Sequence, residues 1–321
     1  AVGSYGTILI NSPSGGRPVI VASGTKRNLN SVCFADSLNG WAVGDSGTIL
    51  YSSNGGHSWL SQNSGSTYNL NKVFFFNSLV GWVAGDHGTI LKTLNGGQSW
   101  QTYATSTLNN VLSVHFINEQ VGLAGTKFGW LFKTTNGGQS WVPTTGGDPS
   151  GSNWKLDVRL FSPQVYVVLC GNGNIIRTTN GGLNWTITIL SASMSSMHFS
   201  DSLHGFIVGQ NGQIAKTNDG GQTWAEQTSG TRQILNSVYF DNNQNGWIAS
   251  DVGNILSTNN GGELWSSLTN LTSWHIRSVQ FFNHRVGCAI AGDNETILRT
   301  ENGGADWKIV HSSNITNTLR D

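Results

Sequence analysis

Aspartates recur at Asp45, Asp86, Asp251 and Asp293, the first two in the strings GDSG and GDHG. Paired carboxylates are the tools of glycoside hydrolysis, which needs two of them about 5–10 Å apart. A second set, Asp36, Asp201 and Asp241, repeats elsewhere in the same register. Repetition weighs against catalysis, because an acid and a base need different surroundings, whereas a turn needs the same aspartate every time. The five glutamates (Glu119, Glu226, Glu263, Glu295, Glu301) and six tyrosines offer no nucleophile pair. Histidines are dispersed, Cys33, Cys170 and Cys288 lack metal-ligand spacing, and no glycine-rich loop stands between a strand and a helix. No catalytic residue, metal or cofactor is expected. If the chain is an enzyme, it is a glycoside hydrolase.

The elements that carry these residues are short strands. Glycine pairs begin at positions 15, 55, 96, 137, 181, 220, 261 and 303, a spacing of about 41 residues that signals a repeat architecture. Seven copies place tryptophan three residues after the second glycine: Trp59, Trp100, Trp141, Trp185, Trp224, Trp265 and Trp307. The first copy, SPSGGRPV, has Val19 there. Each period runs through an alternating stretch such as LNSVCF, then GWAVGD, GTILYS and the glycine pair. Four glycine-bounded runs rich in Val, Ile, Phe and Thr are four strands, and four strands in about 41 residues make one propeller blade. The spacing therefore predicts an all-β fold, a single β-propeller domain over 1–321 with four-stranded antiparallel blades.

The chain ends bear on the blade count. AVGSYGTILI at the start aligns with AVGDSGTILY, and TNTLRD at the end with LNSVCF. Eight modules less one linking loop account for 321 residues. The expectation is eight blades, closed by pairing of the N- and C-terminal strands; seven is the alternative count.

Within KTLNGGQSW (Lys92 to Trp100) every residue type suits a tight turn: Asn95 accepts backbone N–H groups and the glycines take positive φ. The string resembles the Asp-box, or bacterial neuraminidase repeat, with asparagine in place of aspartate except at Asp219. The longer unit GDHGTILKTLNGGQSW is similar to the propeller family of photosystem II assembly factors, a resemblance that covers nearly the whole chain. It implies a structural box on the blade periphery and, since many such proteins are secreted by bacteria, a periplasmic or extracellular location.

Function is then expected where the repeats disagree. His115, Arg159, His198 and Tyr239 occupy one variable position of the first strand of their blades. Tyr68, Tyr103, Trp154 and Trp274 fall in the segments joining one blade to the next. A basic residue closes the third strand at Lys92, Lys133, Arg177, Lys216 and Arg299, which suggests a solvated edge or contacts between blades. Charged residues are 11% of the chain, against roughly 25% in ordinary domains, and Lys+Arg equals Asp+Glu at 17. That balance argues against nucleic acid. No run approaches the ~20 apolar residues of a membrane span, and a chain that opens on Ala1 without a signal-peptide pattern reads as mature or trimmed. The expected function is a non-catalytic binding or scaffolding propeller that joins or assembles a larger protein complex. The alternative is a glycan-directed protein, lectin or hydrolase, using Trp154, Trp274 and the aspartate turns.

Overall fold

The computed structural model describes residues 1–10, 19–144, 155–170, 172–268, 271–292, 296–312 and 319. It is all-β. Seven antiparallel sheets of four strands follow one another along the chain, over 29–63, 70–104, 111–143, 155–189, 194–228, 235–268 and 276–311. They are numbered here as blades one to seven.

The eight-blade expectation is corrected to seven. Ile8–Ile10 and Val19–Val21 form only a two-stranded sheet. The stretches expected to complete an eighth blade contribute two isolated bridges, Val2 to Ile8 and Gly3 to Leu319. Residue arithmetic counts length, but a blade needs ladders of successive pairs. Gly3, like Gly44, stands directly before a 3-10 turn (Ser4–Gly6 and Asp45–Gly47), but among the described residues single bridges at Val2 and Gly3 stand where Gly40–Gly44 form full ladders.

Blade two shows how the repeat folds. Its strands are Leu70–Phe75, Gly81–Gly85, Thr89–Thr93 and Gln101–Ala104. The first strand carries a register shift between Leu70 and Lys72, so Leu70, Val73 and Phe75 are buried while Asn71, Lys72 and Phe74 are partly open. The β-bulge interrupts the two-residue alternation. Gly81 opens the second strand because a methyl there would fall 2.6 Å from the Phe75 ring.

The glycine-pair turn is closed by side chains. Thr93 Oγ1 donates to Asn95 Oδ1 at 2.9 Å and accepts the N–H of Gly97 at 2.8 Å. Asn95 Oδ1 also accepts the N–H of Ser99 at 3.0 Å, while Gly96 and Gly97 take φ of +69° and +84°. The same threonine or serine bonds recur at Ser52, Thr134, Thr178, Thr217, Thr258 and Thr300. Replacing Thr93 by valine keeps the shape and strands the buried Gly97 N–H. An unsatisfied buried donor costs about 2 kcal/mol, to be read as a lowered urea midpoint at unchanged m-value.

By packing, the chain divides into two compact units, Ala1–Tyr166 with Thr178–Trp185 and Leu319–Asp321, and Val167–Arg177 with Thr186–Thr318. In the first unit Trp41 stacks on Phe75 (3.5 Å, 11°) and Trp82 on Phe116 (3.6 Å, 12°), so each second strand docks on the next blade's first strand. Trp100 and Trp141 meet those phenylalanines edge-on at 5.9 and 5.8 Å. In the second unit Phe206 stacks on Phe240 and Trp247 on Phe281, with Trp265 and Trp307 edge-on. Offset-stacked and edge-to-face pairs add to the burial of large apolar area. Trp59, Trp185 and Trp224 make the same edge contacts with Phe34, Tyr166 and Phe199.

Candidate functional site

The recurrent aspartates are tied into the scaffold. Asp45 accepts from Asn28 (2.9 Å) and Asn30 (3.1 Å), and Asp86 from Asn69 (3.1 Å) and Asn71 (3.0 Å). Asp251 accepts from Asn236 at 2.9 Å and pairs with His275 at 3.1 Å. Each bulge asparagine spans two blades, since Asn30, Asn71 and Asn236 also donate to the backbone carbonyls of Leu70, Val111 and Ile276. Asp293 lies outside the described residues. Asp36 is held below the usual carboxylate range by the backbone N–H and side chain of Asn39 and the N–H of Leu38. Among the described residues no group of three His, Cys, Asp or Glu could hold a metal ion.

The variable first-strand positions gather in two rows. In the first unit the His115 ring lies 4.8 Å from that of Phe74, with the charges of Arg159 and Lys72 in electrostatic reach. His115 is pushed down to about 4, first by burial and then by those two cations. Its Nδ1 has no hydrogen-bond partner among the described residues. Arg159 is exposed. Arg159 and Lys72 give this row its positive charge near the Phe74 and His115 rings, a setting suited to a carboxylate or an acidic segment. In the second unit His198 Nε2 lies 3.0 Å from Phe240 O and its ring 5.0 Å from Tyr239.

Of the four aromatics expected between blades, three are among the described residues. Tyr68 is exposed and stacks on His87 at 4.5 Å. Tyr103 belongs to the fourth strand of blade two, opposite Ile90, because that strand continues past the box tryptophan. Trp274 is 37% exposed, just before the first strand of blade seven. Trp154 lies outside the described residues.

The basic residues of the third strand have a task that their spacing did not disclose. Lys133 Nζ donates to the carbonyls of Pro163 (3.0 Å) and Gly181 (3.1 Å) on blade four, and Arg177 Nε to Gly220 O (2.9 Å) on blade five. Where the second strand carries tryptophan, the indole N–H reaches the equivalent carbonyl instead: Trp41 to Gly96, Trp82 to Gly137 and Trp247 to Gly303, at 3.1, 3.0 and 3.0 Å. Burial lowers the ammonium groups of Lys92 and Lys133 from the usual lysine range.

The family model described as photosynthesis system II assembly factor YCF48 matches residues 18–108 and 189–273, more than half of the chain. The chain belongs to this family. Solved YCF48 structures share its fold at low identity. That from Cyanidioschyzon merolae is 18% identical over 87% of this chain and 96% of its own, with a TM-score of 0.66. A structure of YCF48 bound to a D1 peptide is 18% identical over 94% and 97%, with a TM-score of 0.67. The GH74 xyloglucanase from Xanthomonas campestris is 12% identical, covering 97% of this chain but 55% of the enzyme, with a TM-score of 0.64. No curated protein matches the chain. Tyr68, Tyr103, His198 and Tyr239 fall inside the YCF48-matched segments, whereas His115, Arg159 and Trp274 fall outside them. No helix among the described residues is long and apolar enough to cross a membrane.

Proposed function

We propose that this YCF48-family propeller is a non-catalytic protein-binding module that works outside the cytoplasm in assembling a larger complex. Family membership carries the reading. The structure of a YCF48 with a peptide bound, similar over nearly the whole of both chains, supports a polypeptide as the ligand class. The first-unit row of Lys72, Phe74, His115 and Arg159 is the surface with the matching chemistry, two cations within electrostatic reach of paired aromatic rings. A hydrolase has less support, because Asp45, Asp86 and Asp251 already spend their oxygens on structural asparagines. The export step follows the secreted relatives that the repeat resembles.

The test is calorimetric titration with peptides ending in a free carboxylate or carrying acidic residues, beside a glycan array and reducing-sugar assays. Acidic peptides are expected to bind, and Arg159→Glu to weaken them at least tenfold, since a charged contact at an interface is replaced by repulsion. Glycan turnover or selective glycan binding without peptide binding overturns the reading.

A further inference from the structure

The third strands show one position played in several ways. It faces the second strand's aromatic or apolar residue across the ladder: Trp41 with Tyr51, Trp82 with Lys92, Leu123 with Lys133, Phe206 with Lys216 and Trp247 with Ser257. In four blades a long cation from this position fills the seam to the next blade. Lys133 and Arg177 bond the next box carbonyl, and Lys92 and Lys216 sit beside Gly137 and Gly261 while lying 5.5 and 5.7 Å from the rings of Trp82 and Phe206. In blade one Tyr51 packs on Trp41 at 5.1 Å, and Gln62 adds a second donor to Gly96 O.

Blade six departs from all of these. Ser257 is too short to cross, and Leu268 stands opposite Ile255 where Gln62 stands opposite Ile49, so no described residue at these two positions of blade six replaces the missing cation. The consequence is a cavity of about 480 Å³ between blades six and seven, lined by Trp247, Ser257, Leu264, Leu268, His284 and Gly303 among others. Its size falls within the range of small-ligand sites. Phe281 covers one face of the Trp247 indole at 3.5 Å, leaving Trp247 3% exposed where it borders the cavity, and Ser257 is its ladder partner as Lys92 is that of Trp82. The acceptors match those that hold Lys133. His284 O lies 3.0 Å from a methyl position on Gly303, as Pro163 O lies 3.5 Å from that on Gly181. Among the described residues Gly303 O accepts one bond, from Trp247, and keeps a second lone pair. Gly96 O, at the equivalent place, takes both a tryptophan and a glutamine donor.

We propose that this seam is a docking slot for a lysine side chain of a partner polypeptide, its ammonium over Trp247 and bonded to the carbonyls of Gly303 and His284. A cation held against an indole face and desolvated is attracted by the ring quadrupole. The methylene stem lies along Leu264 and Leu268, which are exposed and half-buried. The partner thus supplies in trans the group that blades two to five supply from their own chains. That the occupant is a polypeptide rests on the protein-binding reading above; the slot's preference for an ammonium does not.

The experiment titrates the full chain at pH 7.5 with Nα-acetyl-lysine N-methylamide and with its norleucine counterpart. The indole N–H resonance of Trp247, assigned through Trp247→Phe, is the readout. The lysine probe is expected to shift it saturably and the norleucine probe to bind at least tenfold more weakly. Ser257→Lys is expected to remain folded, with a melting temperature at or above that of the parent, and to abolish the shift by filling the slot from within. Ser257→Tyr, supplying what Tyr51 supplies in blade one, is the second filling variant. Equal response to norleucine, a shift that never saturates, or full lysine binding in a folded filling variant overturns the proposal. Because the probe has no acidic group, its failure with acidic-peptide binding intact discards the slot alone. Success here with no peptide binding at Arg159 discards the first-unit row alone.

Discussion

Phe116→Ala is expected to lower the unfolding free energy by about 3–5 kcal/mol, the range for emptying a buried phenylalanine site. Phe116 is 2% exposed and held on three sides. Trp82 of the preceding blade stacks on it, Trp141 of its own blade meets it edge-on, and Gly122 lies beneath, where a methyl would come within 2.6 Å of the ring. Trp82 cannot collapse into the gap, because its indole N–H is bonded to Gly137 O and its strand is paired on both sides. The matched control is Phe34→Ala at the same register in blade one. There the ring is 43% exposed, though Trp59 still meets it edge-on at 6.0 Å. With less apolar area to return to water, the loss there is about 1 kcal/mol on the usual area scale. Urea unfolding of both variants decides the matter. Equal losses would show that residue type, and not the aromatic contact between blades, sets the energy.

The repeat made much of this visible beforehand. Glycine pairs and box tryptophans announced four-stranded blades, and threonine–asparagine turns announced their own hydrogen bonds, since turn chemistry is local. The blade count went astray because aligned letters do not ensure paired strands: AVGSYGTILI aligns with AVGDSGTILY, yet Val2 and Gly3 make single bridges where Val43 and Gly44 sit in full ladders. The first-strand bulge was also hidden, although asparagine fifteen residues before aspartate (Asn30 and Asp45, Asn71 and Asp86, Asn236 and Asp251) was a signal available in the letters. Least legible were the seams. Lys133 bonds a carbonyl 48 residues away, and a backbone carbonyl leaves no mark on residue identity. The informative feature was an exception, serine at 257 in a row otherwise of lysine, arginine and one tyrosine, whose meaning depends on knowing what the others hold.

Acidification is expected to weaken the fold through His115. Burial first, then Arg159 and Lys72, hold its folded value down at about 4 against an ordinary 6.5. Between those values the unfolded chain binds a proton that the folded chain refuses, so stability falls as pH drops from about 6.5 towards 4 and is fully present above that window. A gap of this size corresponds to about 3 kcal/mol at its limit. Aspartates and glutamates titrate near the lower end, so the measurement is a difference. Urea unfolding of the parent and of His115→Gln is compared at pH 7.5 and 4.5, and the glutamine variant is expected to lose less stability on acidification by up to that amount. An NMR titration of the His115 ring gives the direct check, with a midpoint near 6.5 overturning the account. The same imidazole borders the proposed polypeptide row. An acidic ligand bringing carboxylates beside Arg159 offsets the cations that depress His115, so binding raises its midpoint. The converse follows by linkage: protonating His115 tightens a peptide whose carboxylates stay ionised, even as it loosens the fold.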